Sequence, residues 1–178
     1  MGRPKAFLPF RGGTFLSEIA AVFAPHCSGV IAVFGHDAAR LIEMARQKGV
    51  RAIENPDYTL GMLTSLQAGL NAIPHDCDAA LFTLVDHPAI SSSTIDQLLK
   101  STAPIAIPRF HRKRGHPVFI RRRICDEFLR EPRTSKVRDV IDRHAAEIDY
   151  IETADPGIVD DIDDPALYEK LLAREALL

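Results

Sequence analysis

The chain reads as an α/β protein with a mostly parallel sheet covered by helices, and two features of its 178 residues say so. Short, continuously apolar, β-rich runs recur along it, such as "VIAVF" at 30–34 and "AALFTLV" at 79–85. Runs of that kind suit strands buried on both faces, as parallel-sheet strands are. Between them lie stretches of about ten residues with apolar side chains at helical spacing, which is the alternation of βαβ units.

Taken in order, residues 13–24 ("GTFLSEIAAVFA") form a helix with Phe15, Leu16, Ile19 and Phe23 on one face. Residues 29–35 are the first buried strand. Asp37 caps the helix "AARLIEMARQKG", which stops at Gly49. A second strand at 50–55 and a helix at 62–73 follow. The strand at 79–85 leads directly into Asp86, and the serines at 91–93 cap the next helix. Residues 104–108 are another strand. From Arg109 to Arg123 the pattern breaks into a basic stretch with the look of a hairpin arm. Helical segments at 124–131 and 135–145, a strand at 147–153, an acidic turn and a last helix at 166–178 complete the chain.

Composition excludes several classes. A net charge of −2 provides no global basic field for nucleic acid. No apolar run approaches the length of a membrane span, and the first residues hold no apolar signal core. Cys27, Cys77 and Cys125 are far apart and odd in number, which suits reduced thiols in a cytoplasmic protein.

Four stretches hold candidate chemistry. Ligands of an open parallel sheet bind beyond the carboxyl ends of its strands, where Asp86 stands. Its carboxylate suits Mg²⁺, or it caps the turn. In "VDDIDDP" an inward Ile162 would put Asp161 and Asp163 on one opposite face, able to share that cation; the other reading is a solvated loop with Asp164 capping the last helix. In "NPDYTLGMLTSLQAGL", Gly61 gives a turn and Ser65 lies early in a helix, a weak site for a base edge or phosphate. Lys5, in the opening "MGRPK", could face a triphosphate or be a solvated charge, and no Walker A loop is present. The basic arm has only Phe110 and Phe119 for base stacking, so it fits a small polyanion or solvent better than nucleic acid.

Together these stretches resemble one family. "MGRPKAFLPFRGGTFL" is similar to the second half of the signature of MobA-like nucleotidyltransferases. "NPDYTLGMLTSLQAGL", "TLVDHPAISSSTIDQLL", "GHPVFI" and "DIDDPALYEKLL" follow in that family's order, closest to its molybdenum cofactor cytidylyltransferase branch. The resemblance implies a three-layer α/β/α Rossmann-like nucleotidyltransferase fold in a single domain over 1–178. It also implies Mg²⁺-dependent transfer of a nucleoside monophosphate from an NTP, CTP in this branch, to a phosphorylated acceptor of the molybdopterin type. Pyrophosphate leaves. Lys5 and Asp86 would be catalytic, and Asp86, Asp161 and Asp163 would hold the metal. Gly2, Lys5, Asn55, Gly61, Met62 and Ser65 would contact the nucleotide, and Gly115, His116 and Pro117 the acceptor. A molybdoenzyme or its chaperone is the implied onward partner.

The chain departs from that pattern in three places. The family's first strand and glycine-rich loop, about 10–20 residues, should precede Met1, so the domain is expected to be truncated at its N-terminus. Met1 is then an internal methionine of a longer natural protein, or the chain is a shortened relative with impaired nucleotide binding. Arg133, Lys136 and Arg138 make the segment before the 135–145 helix unusually basic, which opens the acceptor to other phosphorylated molecules such as a sugar phosphate or phospho-alcohol. His87 follows the metal aspartate, as a turn histidine packed on Pro88 or as a phosphate contact. A non-catalytic relative that has lost nucleotide binding is the alternative outside enzyme function.

Overall fold

A computed structural model describes residues 4–177. Its opening is more ordered than an irregular lead-in. Residues Lys5–Phe7 make a 3₁₀ turn, and β1 (Pro9–Phe10) pairs antiparallel with β2 (Gly13–Thr14) across a two-residue turn. Arg11 and Gly12 both take positive φ, as the type I′ hairpin turn requires. Helix α1 (Phe15–Phe23) starts two residues later than the sequence pattern suggests, because Thr14 and Ser17 form a reciprocal capping box.

Strand β3 (Ile31–Phe34), helix α2 (Ala38–Gln47) and strand β4 (Arg51–Glu54) form a βαβ unit whose strands pair in parallel. Asp37 does stand at the N-cap of α2, but in a left-handed conformation and with no side-chain cap; its carboxylate pairs with Arg40 instead. Next come α3 (Met62–Ala72), β5 (Ala79–Phe82), α4 (Ser92–Leu99), β6 (Ile105–Phe110), β7 (Lys113–Arg114), β8 (Val118–Arg121) and α5 (Arg122–Arg130). The chain closes with α6 (Val137–Arg143), β9 (Ile148–Glu152) and α7 (Pro165–Glu175).

The sheet is mixed, where parallel pairing was expected to dominate. The basic stretch is not an arm that leaves the sheet. His111 and Arg112, both at positive φ, turn β6 tightly into β7, and the returning chain enters the sheet as β8. A strand that returns through so short a connection must run antiparallel. So β8 lies antiparallel between β5 and β6, while β9 pairs in parallel along the other edge of β6. Among the described residues β3 and β4 pair only with each other, and the side chains of β3 and β5 are all half-buried.

The three layers follow from side-chain alternation. Ile105, Ile107, Val118 and Ile120 point to one face, into a core shared with Leu63 and Leu70 of α3, Phe128 of α5 and Val140 of α6. Ala106 and Phe119 point to the other, against Leu98 of α4. Phe7, Leu8 and Phe10 are core residues, as their sequence suggests: Phe7 packs with Leu16 and Leu41, and Leu8 and Phe10 with Phe15 and Leu171.

One close approach depends on glycine. The 3₁₀ turn Pro156–Val159 lies against the backbone at both Ala89 and Gly115. A Cβ on Gly157 would run into the Ala89 carbonyl, and one on Gly115 into the Ile158 carbonyl. Because the obstructing atoms are backbone, Gly157→Ala should destabilise the protein by about 1–3 kcal/mol in urea unfolding. An unchanged midpoint would contradict the close approach.

Candidate active site

Strand β5 ends at Phe82, short of the expected 85, so Asp86 stands in the turn beyond it. The acidic loop is tied to that turn by one backbone bond: the Ile162 amide donates to the Asp86 carbonyl at 3.0 Å. The Ile162 side chain turns inward, 3% exposed, against Leu8, Phe10, Phe15 and Leu171. Its two neighbours therefore project to the other side, which brings Asp161 and Asp163 to Asp86. Lys5 arrives from the opening 3₁₀ turn, anchored by buried Ala6 and Phe7. Its ammonium bonds Asp163 and lies 3.8 Å from Asp86 Oδ2. Asp164 does cap α7, accepting from the Leu167 amide at 2.8 Å, so the acidic turn combines a capping role with the cluster.

The electrostatics match this crowding. Burial lowers the Lys5 pKa, but the Asp163 bond and the Asp86 charge outweigh it, so its pKa is raised and it stays protonated. The bond from Lys5 holds the Asp163 carboxyl below its ordinary range. Asp161 is pushed up, first by desolvation and then by the charges of Asp86 and Asp163. Asp86 Oδ1 is buried without a hydrogen-bond partner.

Two histidines join the group. His87, 7% exposed, holds Nε2 3.8 Å from Asp86 Oδ1, and its Nδ1 is buried without a partner. Its ring lies 4.7 Å from that of His116, centroid to centroid. Burial lowers the His87 pKa against the pull of the nearby carboxylates. Burial, then the neighbouring His87, lowers His116 to about 4. Both rings are neutral at pH 7.

Asp86, His87 and Asp161 each offer a ligand atom, and the three atoms lie within 4.8 Å of one another. Two of the three expected metal ligands are thus brought together, while Asp163 is engaged by Lys5. A buried, unpartnered carboxylate oxygen beside two more carboxylates fits a hard divalent cation.

The residues expected at the nucleotide form a second group. Asn55 is buried and donates to Thr64 Oγ1 at 2.9 Å and Ser65 Oγ at 3.0 Å, while its Oδ1 accepts from the Asp57 amide at 3.0 Å. It works as a bracket that fixes the start of α3. Gly61 takes φ +117 at the N-cap of that helix, a conformation that favours glycine. Met62 is exposed. Gly2 lies outside the described residues. On the expected acceptor side, Gly115 is buried against the Ile158 backbone, the His116 amide donates to the Ile158 carbonyl at 2.9 Å, and Pro117 follows a cis peptide bond.

The basic arm is largely occupied by contacts within the chain. Arg109 pairs with Glu152 and Arg123 with Glu147, both at 2.7 Å, and Arg122 pairs with Asp126 at 2.9 Å. Arg114 lies over the Tyr150 ring, and Arg133 pairs with Asp57 at 2.5 Å. The sequence missed the burial of His87 and its contact with His116. The signal was present in "DHP" and "GHP", two histidines each followed by proline, but nothing in the spacing says that they meet.

A mixed α/β sheet carries the aspartate after β5 and the lysine that converges on it, and comparison with known proteins gives the family. The model of the MobA-like NTP transferase domain matches residues 1–148. The chain belongs to that family, which is one of nucleotidyltransferases. The nicotine blue oxidoreductase of Paenarthrobacter nicotinovorans is 36% identical across 67% of this chain, and the chain spans 64% of that protein's length. The molybdenum cofactor cytidylyltransferase of Escherichia coli K12 is 28% identical across 93% of this chain and 85% of its own. A Mycobacterium tuberculosis protein solved in complex with manganese superposes with a TM-score of 0.74 at 20% identity, over 96% of this chain and 91% of that one. No helix among the described residues is long and apolar enough to cross a membrane.

The His116 shift sets a pH dependence. Its folded pKa is depressed, so the native state binds fewer protons than the unfolded state between about pH 6.5 and pH 4, and acid favours unfolding there. From pH 7 to pH 5 the wild type should lose about 2 kcal/mol more stability in urea unfolding than His116→Gln does. Equal losses would contradict a neutral buried His116.

Proposed function

We propose that this chain is a divalent-metal-dependent nucleotidyltransferase that transfers CMP from CTP to the terminal phosphate of a molybdopterin-type acceptor. The convergence of Lys5 with Asp86, Asp161 and Asp163 carries this reading. An acceptor phosphate oxygen attacks the α-phosphorus, the bond from that phosphorus to the β-phosphate oxygen breaks, and pyrophosphate leaves. Such a transfer needs little covalent help from the protein, so catalysis is positioning and charge neutralisation.

Asp86 and Asp161 would hold the cation, which supplies positive charge to the triphosphate when bound. Lys5 exchanges its Asp163 contact for a phosphate oxygen of the triphosphate. Asp163 holds the ammonium in place and protonated until the nucleotide arrives. The Asn55 bracket presents the amide end of α3 and Ser65 to the base. His116, neutral at pH 7, borders the carboxylate cluster through His87 without adding charge to it. The Escherichia coli relative, similar along nearly the whole chain, favours CTP and the molybdopterin acceptor; the manganese-bound Mycobacterium tuberculosis protein favours a divalent metal.

The relative at 36% identity favours a second reading, reduction of an organic substrate. The lysine and carboxylate cluster favours phosphoryl chemistry over that, because it concentrates metal-binding and phosphate-binding groups at one point.

The test is pyrophosphate release from CTP with purified molybdopterin cofactor as acceptor. Asp86→Asn should abolish turnover, and Lys5→Ala should lower kcat by about 10²–10³-fold, the usual cost of one charge-stabilising group. Turnover of Asp86→Asn within a few-fold of the parent would remove Asp86 from the metal site. Absence of pyrophosphate from the parent, with oxidation of an added reduced nicotinamide cofactor by an organic acceptor in its place, would favour the oxidoreductase reading.

A further inference from the structure

We propose that His87 is the third protein ligand of the metal at Asp86 and Asp161, and that its nitrogen makes the site prefer first-row transition ions, Mn²⁺ included, over Mg²⁺. This rests on the reading of Asp86 as a metal ligand and extends it to a residue that the acidic pattern alone does not include.

Three observations carry the inference. First, the set of ligand atoms that come together is Asp86, His87 and Asp161, within 4.8 Å of one another; Asp163, the acidic alternative, is held by Lys5. Second, two buried polar atoms on the neighbouring residues of this cluster are costly to leave as they are, and the other nitrogen of His87, Nε2, lies 3.8 Å from Asp86 Oδ1. Asp86 Oδ1 and His87 Nδ1 are both buried with no hydrogen-bond partner, and the His87 side chain is 9% exposed. Buried polar groups are nearly always paired, so orphans on adjacent residues in one cluster point to a bound group. Third, His87 is held rigidly. The His116 ring packs on one side of it, and the turn at Asp86 is fixed by the Ile162 amide, so the imidazole is positioned before any ion arrives.

The chemistry follows from the donor set. Mg²⁺ takes oxygen ligands and keeps much of its water. Imidazole adds affinity for first-row transition ions over Mg²⁺, with Mn²⁺ at the weak end of that series, whereas the two carboxylates alone would barely distinguish Mn²⁺ from Mg²⁺. The structure therefore assigns to His87 the choice of metal, and not the chemistry of transfer.

The experiment uses the full chain with Mn²⁺ alone. Free Mn²⁺ is counted from its EPR signal, bound Mn²⁺ is examined by electron spin echo modulation for coupling to ¹⁴N, and Mg²⁺ affinity is read by competition. The wild type should bind one Mn²⁺ with ¹⁴N coupling. His87→Gln should lose the coupling and bind Mn²⁺ at least about tenfold more weakly, since even an outer partner of a metal ligand is worth about 10–100-fold. Its Mg²⁺ affinity should change less than Mn²⁺ affinity does. Bound Mn²⁺ without ¹⁴N coupling in the wild type overturns the inference with no variant needed, and so does coupling that survives in His87→Gln. Asp86→Asn separates the two readings. Loss of Mn²⁺ there, with coupling unchanged in His87→Gln, sinks the His87 assignment alone. No Mn²⁺ bound by the wild type, or full binding by Asp86→Asn, sinks the metal site itself.

Discussion

The site depends on the inward turn of Ile162. Its side chain is buried among Leu8, Phe10, Phe15 and Leu171, and its amide is bonded to the Asp86 carbonyl. Those two attachments link three distant parts of the chain: the opening segment, the turn after β5 and the start of α7. With that residue fixed, alternation alone sends Asp161 and Asp163 to the face where Asp86 and Lys5 already stand. Hydrophobic burial on one side thus bears the cost of gathering three carboxylates on the other. Desolvation first, and then the like charges of Asp86 and Asp163, raise the Asp161 pKa, and Lys5 relieves the crowding in part through Asp163.

This division of work explains why the cluster is poised for ligands. Surface ion pairs are worth about 0–1 kcal/mol, so the Lys5–Asp163 pair can be exchanged for a phosphate contact at little cost. The buried orphans at Asp86 and His87 are different, because nothing within the chain satisfies them. The exchangeable pair and the unsatisfied groups lie side by side. The Asn55 bracket, by contrast, is fully bonded to Thr64, Ser65 and Asp57, and so fixes backbone geometry at the start of α3.

Much of this was legible in the sequence. The apolar runs give β3, β5 and β6 with their helices, and the serine and aspartate caps stand where α4 and α7 begin. The orientation of Ile162 was a condition stated from alternation, and the structure meets it. Three things were hidden. The antiparallel insertion of β8 was masked by the arginines around it, whose charges are neutralised by Glu152, Glu147 and Asp126, residues outside the stretch. The left-handed turn at Asp37 overrides the usual capping role of an aspartate, since its side chain goes to Arg40. His87 and His116 meet only through the folding of β5 beside β8, a long-range pairing that no local pattern encodes.

The central claim is that the cluster receives a nucleoside triphosphate with a divalent ion. Thermal unfolding of the chain with Mn²⁺ and CTP, GTP or ATP in turn tests it most directly. A ligand that binds only the folded state, present at 100 times its dissociation constant, adds about 2.7 kcal/mol of stability. The account predicts a rise in melting temperature with CTP and Mn²⁺ together that exceeds the rise with either alone. No rise with any of the three nucleotides would contradict it.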